Sequence, residues 1–141
     1  MSNFIRLTKK EIETRFHQYN ALYFNGEIIT PKYFEVWTPW KNTLGMVRPC
    51  FNKLTQTYSA ALHISKRYNW TDENLKKVII HEMIHLYLMD YLQPLQWWER
   101  LYSCFHKEHD SRFKDMMNYL NETYNLDIKI RFKEMRGLRK W

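Results

Sequence analysis

At 141 residues, 45% of them hydrophobic and 17% aromatic, the chain is long enough for one compact domain with a sizeable core and too short for two. That composition excludes a disordered polypeptide, and no apolar run reaches the length of a membrane span. The formal net charge of +7 is uneven, at +6 over residues 1–70, −3 over 71–125 and +4 over 126–141, so basic flanks enclose an acidic middle.

The start, Met1-Ser2-Asn3-Phe4-Ile5-Arg6, has neither the apolar core nor the small-residue cleavage site of a signal peptide, which predicts a cytoplasmic protein. Cys50 and Cys104 form no C-x-x-C pair and are read as reduced packing residues. Thr8-Lys9-Lys10-Glu11 has the form of a capping box. Ile12, Phe16, Tyr19, Leu22 and Tyr23 then recur at helical spacing up to Asn25-Gly26, which predicts an amphipathic first helix. Three short extended stretches follow: Tyr33 to Thr38, Gly45 to Phe51, and Ser59 to Ser65, with turns at Pro39 to Thr43 and Asn52 to Thr57. They predict a small three-stranded antiparallel sheet. His63, on the last strand, reads as structural or solvent-facing rather than as a metal ligand.

The next helix is announced by Thr71-Asp72-Glu73, a cap with two first-turn carboxylates, and runs to Gln93-Pro94. Its apolar residues, from Leu75 to Leu88, fall on nearly every side, so the helix is expected to be buried all round. Within it stands His81-Glu82-Met83-Ile84-His85. Residues four apart lie one above the other on a helix, so His81 and His85 offer two imidazoles to a single zinc ion. At roughly 100° per residue Glu82 lies beside that face, within reach of the water such an ion activates but outside the ligand set. Two histidines and a glutamate in an apolar helix need partners, and a metal satisfies all three.

Beyond Pro94, Trp97, Trp98, Leu101, Tyr102 and Phe105 form one stripe of a further helix, read as core packing with a lid over the cleft as the functional alternative. Another helix, from about Asp110 to Tyr124, carries Phe113, Met116, Met117 and Leu120. From Leu126 the apolar Leu126, Ile128, Ile130 and Phe132 alternate with Asp127, Lys129, Arg131 and Lys133, which predicts a C-terminal strand with one basic face and a tail to Trp141. The fold class expected is α+β and zincin-like, with the sheet walling one side of the metal helix.

A catalytic zinc takes three protein ligands and leaves one position open. A metzincin would place its third histidine at residue 91 and a glycine at 88; Tyr91 and Leu88 stand there, which excludes that class. Glu99, His106, Glu108, His109 and Asp110 remain as candidates, and spacing does not choose among them.

The chain resembles the SprT-like metallopeptidases. Their catalytic helix often reads H-E-M-I-H, as residues 81–85 do, and a later H-G-x-x-F segment is matched at the histidine and phenylalanine of His109-Asp110-Ser111-Arg112-Phe113. Tyr19-Asn20-Ala21-Leu22-Tyr23-Phe24-Asn25-Gly26-Glu27-Ile28 looks like the end of that family's first helix, and the resemblance is strongest over residues 8–122. Asp110 stands where the family usually has glycine, and the 23 residues between His85 and His109 make the tryptophan helix look like an insertion. The resemblance implies His109 as third ligand, one Zn2+ per chain, Glu82 as general base, and a zinc-dependent endopeptidase acting on a protein or peptide. In the best understood branch the substrates are DNA-bound proteins. DNA is therefore a second partner to consider, with Lys129, Arg131, Lys133, Arg136, Arg139 and Lys140 as phosphate contacts and Trp141 as a stacking residue favouring single strands. The alternative is a metal-containing nucleic-acid-binding or regulatory module with weak or no peptidase activity; retention of Glu82 argues against it, because a structural site has no use for that carboxylate.

Overall fold

The structure is a computed structural model that describes residues 4–38, 43–52, 54–55, 57–91 and 111–130. Its elements follow in the order α1 (Lys9–Tyr23), β1 (Tyr33–Trp37), β2 (Gly45–Asn52), β3 (Thr57–Ser65), α2 (Asp72–Tyr91) and α3 (Ser111–Tyr124). The tryptophan helix expected after Pro94 lies outside the described residues.

Thr8 starts α1 as its cap predicts, its hydroxyl accepting from the Glu11 amide at 3.0 Å. Ile12, Phe16 and Tyr19 are buried, whereas Leu22 is 52% exposed: the buried stripe runs through 12, 16, 19 and 23, and Leu22 falls to one side of it. The helix is stopped by Asn25 and Gly26, both at positive φ. Asn20 then folds the chain back, donating from Nδ2 to the Ile28 carbonyl at 3.0 Å while its Oδ1 accepts from the Ile28 amide at 3.2 Å. Arg15 ties α1 to the start of α2 by bridging Glu11 at 2.7 Å and Asp72 at 2.8 Å.

The strand positions match their sequence signals to within two residues, but the sheet is mixed, not antiparallel. Its order is β1-β3-β2, with β3 antiparallel to β2 and parallel to β1. Period-two alternation assigns faces, not directions. Here β2 and β3 form a hairpin, and β1 joins the free side of β3 in the same direction, with Lys32 and Lys66 amides extending that ladder. Placing β2 on the edge suits Pro49, which has no N–H to give a second neighbour. Phe34, Leu62 and Ile64 face the helices.

Helix α2 is the axis of the molecule. Thr71 caps it, accepting from the Asn74 amide at 3.1 Å, and Leu75, Val78, Ile79, Ile80, Met83 and Ile84 are all fully buried. Such a run is possible because α1, α3, β2 and β3 pack around it. Each of these side chains contributes on the order of 2 kcal/mol by leaving water. Among the described residues, no helix is long and apolar enough to cross a membrane.

The expected C-terminal strand is a correction. Over residues 126–130 the chain forms no strand and pairs with none among the described residues. The inside-outside alternation itself holds, with Ile128 buried and Asp127 exposed. What replaces the ladder is a side chain: Asn121 on α3 donates to the Ile128 carbonyl at 3.2 Å and accepts from the Ile128 amide at 2.8 Å.

His63 sits on the sheet face away from the helices, between Glu35 and Met46 on the neighbouring strands and edge-on to Trp37 at 5.5 Å. It is not solvent-facing. Both ring nitrogens are buried and have no hydrogen-bond partner among the described residues. Burial, reinforced by the charge of Arg48 and opposed by Glu35, pushes its pKa below the ordinary histidine value. The folded state thus disfavours protonated His63, and below about pH 6.5 the unfolded chain takes up a proton that the folded chain resists. Stability should therefore fall as pH drops from there toward the depressed folded pKa. His63→Phe is expected to flatten this fall and to raise stability at neutral pH by roughly 1 kcal/mol; urea titrations from pH 7.5 to 5 measure both.

Candidate metal centre

Two successive turns of α2 carry the residues of interest. His81, Glu82 and Ile84 are buried and His85 is half-buried, with the two imidazole centroids 5.3 Å apart. The spacing in sequence thus delivers the juxtaposition it predicts. Phe113, from the first turn of α3, packs on both rings, with centroids 4.8 Å from His81 and 4.6 Å from His85. One apolar ring fully removed from water closes this side of the pair and fixes the orientation of both imidazoles.

The tautomer of His81 follows from a single hydrogen bond. Its Nδ1 lies 2.7 Å from the Lys129 carbonyl oxygen, and a carbonyl can only accept, so Nδ1 carries the proton. Any metal taken by His81 is then taken through Nε2, the outer-sphere arrangement that metal-binding histidines commonly have. Two imidazoles on one helix face, one already oriented by a carbonyl, fit a zinc ion's preference for nitrogen ligands. Among the described residues no group of three or more His, Cys, Asp and Glu side chains could hold a metal. His109 lies outside them, as do Glu99, His106, Glu108 and Asp110.

Glu82 is 4% exposed and faces the start of β2. A Cβ on Gly45 would stand 3.3 Å from Glu82 Oε1, 3.2 Å from its Cγ and 3.0 Å from Val78 Cγ1. The missing side chain of Gly45 is what lets the carboxylate lie against the edge strand. Sequence reasoning placed Gly45 at the head of a strand and saw no more in it.

The chain belongs to the SprT-like family. The family's sequence model matches residues 12–132, a span that takes in most of α1, the sheet, α2 and α3. No curated protein matches the chain. SprT-like membership is consistent with a metallopeptidase-like domain, and the family is typically associated with zinc. Of the residues carrying the resemblance, His81, His85 and Phe113 come together in space, Glu82 lies beside Gly45, and His109 is outside the described residues.

The basic residues fare differently. Lys129, read as the first phosphate contact on a basic strand face, is half-buried and donates its ammonium to Asp127 at 2.9 Å, while its carbonyl serves His81. Arg131, Lys133, Arg136, Arg139, Lys140 and Trp141 lie outside the described residues, as do Trp97, Trp98 and Cys104. Cys50 is a free thiol.

Proposed function

We propose that the chain is a zinc-dependent endopeptidase in which His81, His85 and His109 hold one zinc ion and Glu82 is the general base, with a flexible segment of protein as substrate. The observation that carries this reading is the burial of Glu82 one residue from His81 and against Gly45, in a SprT-like chain. One residue from His81 and outside the pair of imidazoles, that carboxylate is within reach of a metal-activated water, where it has a use in hydrolysis.

Zinc, when bound, supplies the Lewis acid that polarises the scissile carbonyl and acidifies water. Glu82 takes a proton from the attacking water as its oxygen bonds to the carbonyl carbon, and returns that proton to the amine nitrogen as the C–N bond breaks. Phe113 and the Lys129 carbonyl hold the imidazoles still, and Gly45 leaves room for the carboxylate. Incubating zinc-loaded protein with an unfolded polypeptide, with and without chelator, tests the reading. New peptide termini in the mass spectrum that vanish on chelation support it; an intact substrate at stoichiometric enzyme contradicts it.

Gly45→Ala gives a sharper expectation. The new methyl must displace the Glu82 carboxylate, Val78 or the edge strand by a few tenths of an ångström. Misplacement on that scale is expected to lower kcat about 10-fold or more with zinc content unchanged. Kinetics alongside metal analysis of the variant decide this. Recruitment by DNA is a further part of the proposal, motivated by the net charge of +7; a steep fall of binding with salt in a titration with single-stranded DNA would support it.

A further inference from the structure

The segment after α3 is anchored out of proportion to its length. Ile128 is buried, and both of its backbone groups are held by the Asn121 side chain, at 2.8 and 3.2 Å. On its two sides Asp127 joins Lys77 of α2 at 3.2 Å and Lys129 at 2.9 Å. Lys77, itself mostly buried, stands four residues, about one helical turn, before His81 on the same helix. The outcome of these contacts is one short hydrogen bond, from His81 Nδ1–H to the Lys129 carbonyl at 2.7 Å.

We propose that residues 121–130 act as a strap that positions His81 for the metal, with Asn121 as its principal fastening and the Lys77–Asp127–Lys129 chain as its secondary one. This deepens the reading of His81 as a zinc ligand and rests on it. The strap touches neither metal nor substrate; its residues are positioning residues acting through one backbone carbonyl. Two consequences follow from the chemistry. Without the carbonyl, the Nδ1–H tautomer loses its preference, and part of the population presents a protonated Nε2 that cannot coordinate. The imidazole also loses the acceptor that raises its basicity as a ligand. Asp127 is 59% exposed, so its ion pairs are weak fastenings beside the half-buried Asn121 pair.

The test uses the full chain labelled with 15N in its histidines. In metal-free wild type, long-range N–H correlation spectra should show His81 as a single Nδ1–H tautomer. Asn121→Ala should give a mixture of tautomers and raise the zinc dissociation constant, by chelator competition, about 10-fold, with Asp127→Ala moving both in the same direction but less. Tyr119→Ala, an exposed site on the same helix, should move neither. Should Asn121→Ala unfold the chain, Asn121→Asp retains the acceptor for the Ile128 amide but sets a carboxylate oxygen against the Ile128 carbonyl in place of the donor, and is expected to show the same change. An unaltered tautomer and a zinc affinity within about twofold of wild type in the Asn121 variants would overturn the strap. Unaltered zinc affinity in His81→Ala would instead overturn the ligand assignment, and the tautomer readout in the metal-free protein would tell the two failures apart.

Discussion

Glu82→Gln is expected to lower peptide cleavage by about 10²- to 10⁴-fold while leaving zinc content and thermal stability at wild-type values. Glutamine has nearly the same shape, so it fits the same place against Gly45, where the absence of a side chain leaves room for it. What disappears is the ability to accept the water's proton. Because the amide is neutral, burial at this site costs it less than it costs a carboxylate, so loss of fold is not the expected cause of lost activity. Parallel measurements of kcat, bound zinc and the melting transition separate the two. Undiminished cleavage at full zinc occupancy would refute the general-base role.

The second large effect concerns the metal. His81→Ala and His85→Ala should each weaken zinc binding by more than the roughly 10- to 100-fold that loss of an outer-sphere partner costs, and His109→Ala should do the same under the family-implied ligand set. His106→Ala and His63→Ala should retain zinc; His63 lies on the outer face of the sheet beside Trp37, away from the α2 pair. Removing either imidazole also opens a space against Phe113, so circular dichroism must accompany the metal analysis. A variant set in which His106→Ala strips the metal and His109→Ala spares it would reassign the third ligand.

Much of the site was legible because helix chemistry is local. A threonine cap, two acidic residues and an apolar pattern on every side locate α2, and a spacing of four places His81 over His85 without reference to the rest of the chain. Sheet direction was not legible. The alternation of Leu62 and Ile64 against His63 says which residues face the helices, but whether β1 runs with or against β3 depends on a connection that carries no such signal. At Leu126 to Ile130 the pattern correctly divided inside from outside and misled about hydrogen bonding, because Asn121 does for Ile128 what a neighbouring strand would have done. Lys129 shows the limit most clearly. Its side chain advertises a basic surface, whereas its contribution to the site is a carbonyl oxygen, a group every residue has and no sequence can single out. Gly45 could have been noticed: a glycine heading a strand before a helix that carries two histidines and a glutamate is a place where something approaches closely.

X-ray absorption at the zinc edge of the zinc-loaded protein tests the metal centre most directly. One zinc per chain held by three imidazole nitrogens at about 2.0–2.1 Å, with a further light-atom ligand and with the imidazole signature diminished in His81→Ala and His85→Ala, is the predicted result. A sulfur ligand at about 2.3 Å, or a spectrum that the two α2 substitutions leave unchanged, would contradict it.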